Sequence, residues 1–287
     1  MAGATEALRG RHGVLLYSVQ TAQGTAVTPA TAAGIGGYEV VIRNNPAPIH
    51  TIGQTAPVAI KPGLSVVEWT INLDNVQTVT LLNKAARTSG VLPFLTLGFG
   101  VDPDTGTSHA YQVQDCKVGR IELSIDAEGD LKATLSGIGG AITDLTSLSA
   151  ANLAGTPLKG YDVVLLRGGA AFEATSFSLS VDNDIKAHYA LRGAAASSFK
   201  RGWSYLTEGK TAISGSIGRF TKSGIDLQAA ATADDTLTAT ITDIGATGAS
   251  VTCALTGVQW ESETRNAPVD GDISHTMPFQ ATALTIS

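Results

Sequence analysis

Asp104-Thr105-Gly106-Thr107 spells the D-T-G-[ST] string of aspartic proteases. That chemistry needs two carboxylates sharing a proton, each on a buried loop after an apolar strand. Here the string follows Asp102-Pro103 in a turn-like setting, and no second D-[ST]-G occurs. Asp102, Asp104 and Gly106 also imitate the start of a calcium loop, but Val113 stands where the loop's glutamate belongs. Asp270 and Asp272 make a similar pair across Gly271. For both sites a plain turn is the favoured reading and ion binding the alternative. The five histidines (His12, His50, His109, His188, His275) are scattered, without a metal-ligand pair. Ser214 lies in Ile213-Ser214-Gly215-Ser216-Ile217, a glycine-containing strand pattern rather than a nucleophile elbow. Gly137-Ile138-Gly139-Gly140 lacks the full dinucleotide fingerprint. Lys200-Arg201 beside Trp203 and Tyr205 is the basic-aromatic cluster, which in an acidic chain suits a protein contact or a solvated rim better than nucleic acid. Cys116 and Cys253 have no redox or metal spacing and are read as small buried residues of a reduced compartment. The residues therefore give no catalytic site, no metal and no cofactor.

The elements that would carry these residues are mostly strands. Apolar residues alternate with Ser, Thr and charged residues at Ile121, Leu123 and Ile125; at Leu131, Ala133 and Leu135; at Phe177, Leu179 and Val181; and at Leu237, Ala239 and Ile241. Acidic-glycine turns such as Glu128-Gly129-Asp130 and Asp182-Asn183-Asp184 separate them. Val79, Leu82, Ala85 and Ala86 instead recur at helical spacing, predicting one helix of about three turns over Val76 to Ser89, capped by Asp74 or Asn75 and ended by Gly90. A second short helix is sketched around Ser147 to Leu153. Trp69–Asp74, Ile121–Asp126 and Phe177–Asp182 share one template of three apolar and two polar residues closed by aspartate, a pattern that duplication or convergence would each produce. Residues 43–63 contain Pro46, Pro48, Pro57 and Pro62 and little alternation, which predicts an extended loop. Its apolar Ile49, Ile52, Val58 and Ile60 favour contact with a partner.

The 287 residues include 32 glycines, with 15% charged and 6% aromatic side chains. Nineteen basic against 25 acidic groups leave a net charge of −6, which argues against a protein that grips nucleic acid through phosphates. An apolar share of 43% supports a real core. Residues 1–13 carry no apolar signal core, and the apolar run from Val91 to Val101 is far short of a membrane span, so an unexported chain with no membrane-spanning segment is expected. No linker or charge block divides the chain, so one β-rich domain over 1–287 is expected, with 145–172 as a possible surface insertion.

The parts follow a familiar order: an early strand Val14–Val19 running into Gly24-Thr25-Ala26-Val27-Thr28-Pro29, the extended loop, a strand over Val66–Leu73, one helix and a hairpin. Then come Phe177–Asn183, Ile213–Ile217 and the closing Asp270–Ala281. This arrangement resembles the tail tube (major tail) proteins of long-tailed, non-contractile bacteriophages. The resemblance implies a mainly β protein, an antiparallel β-sandwich or barrel-like sheet with one flanking helix and long loops. It implies hexameric rings with a continuous inner β-barrel, stacked around a tape-measure protein and later conducting DNA without specific binding. Implied partners are further copies of the chain, the tape-measure protein, the tail terminator and baseplate or tip proteins. The implied location is the virion tail, assembled in the host cytoplasm. By the same analogy Ile49, Ile52, Val58 and Ile60 make inter-ring contacts, and Asp126, Glu128 and Asp130 face the lumen. Another virion structural protein (head, connector or baseplate) is the alternative, and a carbohydrate-binding or adhesin sandwich a more distant one.

Overall fold

A computed structural model of the chain describes residues 13–33, 36–44, 46–49, 56–57, 59–61, 64–73, 79–87, 90–101, 109–146, 148, 158–189, 202–220, 235–242, 250–262, 264–266 and 274–287. The first half contains β1 (Gly13–Val19), β2 (Thr31–Ala33), β3 (Gly37–Asn44), β4 (Ala47–Ile49), β5 (Ala59–Lys61), β6 (Ser65–Leu73), the helical turn α1 (Val79–Leu82), β7 (Leu95–Val101), β8 (His109–Asp126), β9 (Lys132–Gly139) and β10 (Ile142–Leu145). The second contains β11 (Val163–Arg167), β12 (Ala170–Phe172), β13 (Ser176–Asp182), β14 (Ile185–His188), β15 (Tyr205–Glu208), β16 (Ala212–Phe220), β17 (Asp235–Thr242), β18 (Ser250–Trp260), β19 (Thr264–Asn266), β20 (Ser274–Ala281) and β21 (Ala283–Ile286). All pairings between them are antiparallel.

The alternation seen in the sequence is what makes these strands two-faced. Along β6 every second side chain is buried from Ser65 to Leu73, and on β13 Phe177, Leu179 and Val181 point inward. The strands β3, β6, β9, the C-terminal half of β8, β13, β16 and β20 lie side by side, with the end of β18 and β19 closing the far edge. This long sheet is flanked by two smaller ones: β2, β1, β7, the first half of β8 and β10, and then β12, β11, β17, β18 and β21. Tyr38 of β3 lies over Phe99 of β7 with ring centroids 4.9 Å apart, so long sheet and first small sheet face each other across the core. Leu237, Ala239, Cys253 and Leu255 of the second small sheet join Ile217, Met277 and Phe279 of the long sheet in the same apolar cluster.

The same pairing scheme occurs twice. In the first half β1 pairs with β2 and β7, β3 with β6, β6 with β9, and β8 with β7, β9 and β10. In the second, β11, β12, β13, β16, β17, β18, β20 and β21 take the places of β1, β2, β3, β6, β7, β8, β9 and β10, pair for pair. Hairpin β14–β15 interrupts β13 and β16 where hairpin β4–β5 interrupts β3 and β6. The long strands β8 and β18 each serve two sheets and bend at a left-handed residue, Asp115 (φ 55°) and Gly257 (φ 60°). Asp115 is held there by bonds to Gln20 and Gly24, its N–H donating to Gln20 Oε1 at 3.0 Å and its Oδ1 accepting from Gly24 N at 2.7 Å. Equivalent core contacts are filled in opposite sense. Trp69 of β6 lies over Gly137 of β9, whereas Gly215 of β16 lies under Phe279 of β20. A methyl on either glycine would come within 2.5 Å of the facing ring.

Several expectations are corrected. The helix over Val76–Ser89 is, among the described residues, only Val79–Leu82 followed by a turn. Lys84 N–H and Ala85 N–H bond to Leu81 and Leu82 carbonyls, three residues back, which tightens the turn instead of propagating an α-helix. The second sketched helix, 147–153, lies outside the described residues except for the buried Leu148. The shared template does not mark repeat equivalents. Ile121–Asp126 and Phe177–Asp182 are neighbours paired residue by residue in one sheet, and Trp69 lies two strands away. Within 145–172, Val163–Arg167 forms a sheet strand against β17. The loop 43–63 contains hairpin β4–β5, with Pro48 tolerated because a two-stranded hairpin leaves edge positions that need no N–H donor.

Candidate assembly surfaces

The face of the long sheet opposite the core is built from the polar positions of six strands. One row across it runs Asn72, Thr134, Glu122, Ser180, Ser214 and Gln280, and the next Lys132, Ser124, Ser178, Ser216 and Pro278. Small hydroxyls bond across strands: Ser178 and Ser216 Oγ are 2.8 Å apart, and Thr134 Oγ1 donates to Asn72 Oδ1 at 3.0 Å. Charges are few and partly cancelled. Arg43 pairs with Glu68 (2.5 Å) and Arg120 with Glu122 (2.6 Å). Glu39, Asp126 and Asp182 then face Lys132, leaving a mild acidic excess among the described residues of this face. The Ser178/Ser216 half presents no charge from β16 or β20.

Of the three acidic lumen candidates, Asp126 ends this face opposite Ser176, and Glu128 is exposed in the turn beyond it. Asp130 is placed differently. It leaves the face to bridge Lys159, whose ammonium pairs with its carboxylate and is held above its ordinary pKa by that hydrogen bond. Glu122, Arg120 and Asp182 belong to the face instead. Their outward place in an alternating strand was the available signal.

Hairpin β4–β5 presents Ile49 (36% exposed) and Ile60 (66% exposed) to solvent, with Ile42 and Leu64 exposed at its base. Ile52 and Val58 lie outside the described residues. Four exposed aliphatic side chains therefore line one arm.

The other hairpin, β14–β15, is locked to the body. Glu208 pairs with Lys117, lies 3.9 Å from Arg87 and accepts from Leu92 N–H at 3.2 Å. Lys117 sits 4.2 Å from the Phe94 ring centroid. Arg87 donates to the carbonyls of Asn183 (3.2 Å) and Gly209 (2.6 Å). Asn183, fully buried, donates to Ala85 O (3.0 Å) and Val118 O (3.2 Å), and accepts from Thr211 at 3.1 Å. Trp203, one of the two aromatic residues of the basic-aromatic cluster, is buried and donates to Gly139 O at 2.7 Å, so it anchors this hairpin's loop. Tyr205 stacks on His188 at 5.0 Å. Lys200 and Arg201 lie outside the described residues, as do the Asp102–Gly106 and Asp270–Asp272 turns.

Cys116 and Cys253 are buried and free. Burial raises the Cys116 thiol well above its ordinary pKa and pushes Cys253 up to about 12, so neither is a ready nucleophile. No group of three or more metal-ligating side chains comes together among the described residues. Among the same residues no helix is long and apolar enough to cross a membrane.

The chain thus presents a polar sheet face and an exposed apolar arm. The family described as phage tail tube protein matches residues 10–281, and the chain belongs to that family. It is a structural component of the virion tail. No curated protein matches the chain. Among solved structures it is similar to the anti-feeding prophage cap (AFP tube terminating cap), at 14% identity and a TM-score of 0.38, covering 48% of this chain and 95% of that one.

Proposed function

We propose that this tail tube protein is the ring subunit of a long, non-contractile tail. Six copies close each ring, the rings stack into a tube around a tape-measure protein, and DNA later passes through the bore. The observation that carries this reading is the long sheet's polar face, broad, rich in Ser and Thr, and nearly free of unpaired cations. Each cation on a bore wall would bind phosphate and retard a moving duplex, whereas neutral hydroxyls and a mild acidic excess let it slide. The arm with Ile49, Ile52, Val58 and Ile60 makes the inter-ring contact, an open-ended heterologous interface of the kind that builds filaments. Tail terminator and baseplate or tip proteins cap the two ends, and assembly takes place in the host cytoplasm. Electron microscopy of the purified chain over a concentration series tests this: hollow tubes or rings support it. Closed shells would favour a head or connector role, and a monomer at every concentration, with and without tail-tip extract, would refute it.

A further inference from the structure

The long sheet is a join between the two repeats: β8, the last strand of the first four, pairs with β13, the first of the second four, through seven residue pairs from Arg120–Asp182 to Asp126–Ser176. By the repeat, β13 is equivalent to β3, and the end of β8 to β18–β19. The equivalence of the latter needs no gap. Lys117 and Gln259 face Ile138 and Gln280, Glu122 and Thr264 face Thr134 and Thr276, and Ser124 and Asn266 face Lys132 and Ser274. Tyr38, Val40 and Ile42 likewise stand where Phe177, Leu179 and Val181 do. The two outer edges of the chain are thus the same two strand types that meet in its middle. Among the described strands β3 pairs only with β6, and β19 only with β20. Strand β3 is eight residues long, carries Val40, Val41 and Ile42, and leaves Ile42 51% exposed, an edge that a protein working alone would blunt.

We propose that the occupant of these edges is a second copy of the chain: β3 of one copy pairs with β19 of the next, in the register that β13 and β8 use internally. That sets Glu39 opposite Asn266, Val40 opposite Arg265 and Val41 opposite Thr264 between copies. Each chain supplies two of the ring's units and one junction of its own, so a ring of six units closes with three chains, not six. This rests on the ring-forming reading above and replaces its chain count. A continuous long sheet also leaves neither β3 nor β19 as an open edge.

The test uses the full chain. Rings released from tubes are weighed by native mass spectrometry, and Val41→Cys/Thr264→Cys protein is oxidised within intact tubes beside each single substitution. The expected results are a ring mass three times the 29.4 kDa chain and a disulfide ladder that ends at three chains, absent from either single substitution. Rings of six chains, or intact tubes in which the double substitution forms no inter-chain bond, overturn the inference while leaving the tube reading standing. A chain that forms no ring under any condition overturns both.

Discussion

Replacing Asn183 with alanine removes the side chain that ties three separate elements together. Its amide donates to Ala85 O after α1 and to Val118 O in β8, and its carbonyl accepts from Thr211 beside β16. The site is fully buried, so water does not replace the lost donor at either carbonyl. An abandoned buried polar group costs about 1–3 kcal/mol, and two of them about 2–6 kcal/mol. Asn183→Asp keeps the shape but turns an oxygen toward carbonyls that need a donor, and is expected to cost at least as much at neutral pH. Urea unfolding followed by tryptophan fluorescence measures both, since Trp203 anchors the adjoining hairpin loop. A midpoint shift worth less than about 1 kcal/mol for Asn183→Ala would refute the view that this amide is a structural lock. Equal tolerance of alanine and aspartate would refute the assignment of its donor role.

Ile49→Lys with Ile60→Lys is expected to leave unfolding within about 0.5 kcal/mol of the parent, because both are surface positions, while abolishing stacking in sedimentation assays. Normal tubes would remove the arm from the inter-ring contact. Asp126→Lys with Glu128→Lys is expected to permit assembly and slow DNA release from reconstituted virions, whereas Asp130→Lys also loses the Lys159 pair and lowers stability. Unchanged release kinetics would take the first two out of the bore. At Asp235 burial raises the carboxyl's pKa, but hydrogen bonds from Arg167, Thr236 N–H and Trp260 outweigh it and hold the group below its ordinary 3.8. A lowered folded value means this stabilisation is complete above the ordinary value and is lost as pH falls through the folded one. Asp235→Asn is therefore expected to show a shallower decline in urea midpoint than the parent on acidification below about pH 4, and parallel declines would refute the assignment.

Period-two alternation is a local property, and it located β6, the end of β8, β9, β13 and β17, whereas β16 was read from a glycine-containing strand pattern and β20 from the resemblance alone. Helical spacing around Val79 was misleading because Leu81, Leu82 and Ala85 are buried equally well by one turn and an irregular exit. The hairpin inside 43–63 was hidden by its prolines, which usually signal the absence of pairing. The repeat was invisible for a packing reason: at equivalent positions Trp69 over Gly137 is answered by Gly215 under Phe279, so volume is kept while identity is lost. The Lys117–Glu208–Arg87 lock was equally out of reach, since Glu208 lies 91 residues from Lys117 and farther still from Arg87, and only the fold brings them together. On the polar face the sequence pointed to the acidic turn after Asp126. The strand positions Arg120, Glu122 and Asp182 needed the register of three neighbouring strands to be assigned to one surface.

A Ser/Thr face that lines the bore is shielded from bulky chemical labels once tubes assemble. Ser124→Cys sits in the middle of that face, and Val164→Cys on the exposed side of the second small sheet. A bulky maleimide polymer is expected to label both in dissociated protein but only Val164→Cys in assembled tubes. Equal labelling of Ser124→Cys in tubes and in dissociated protein would contradict the account.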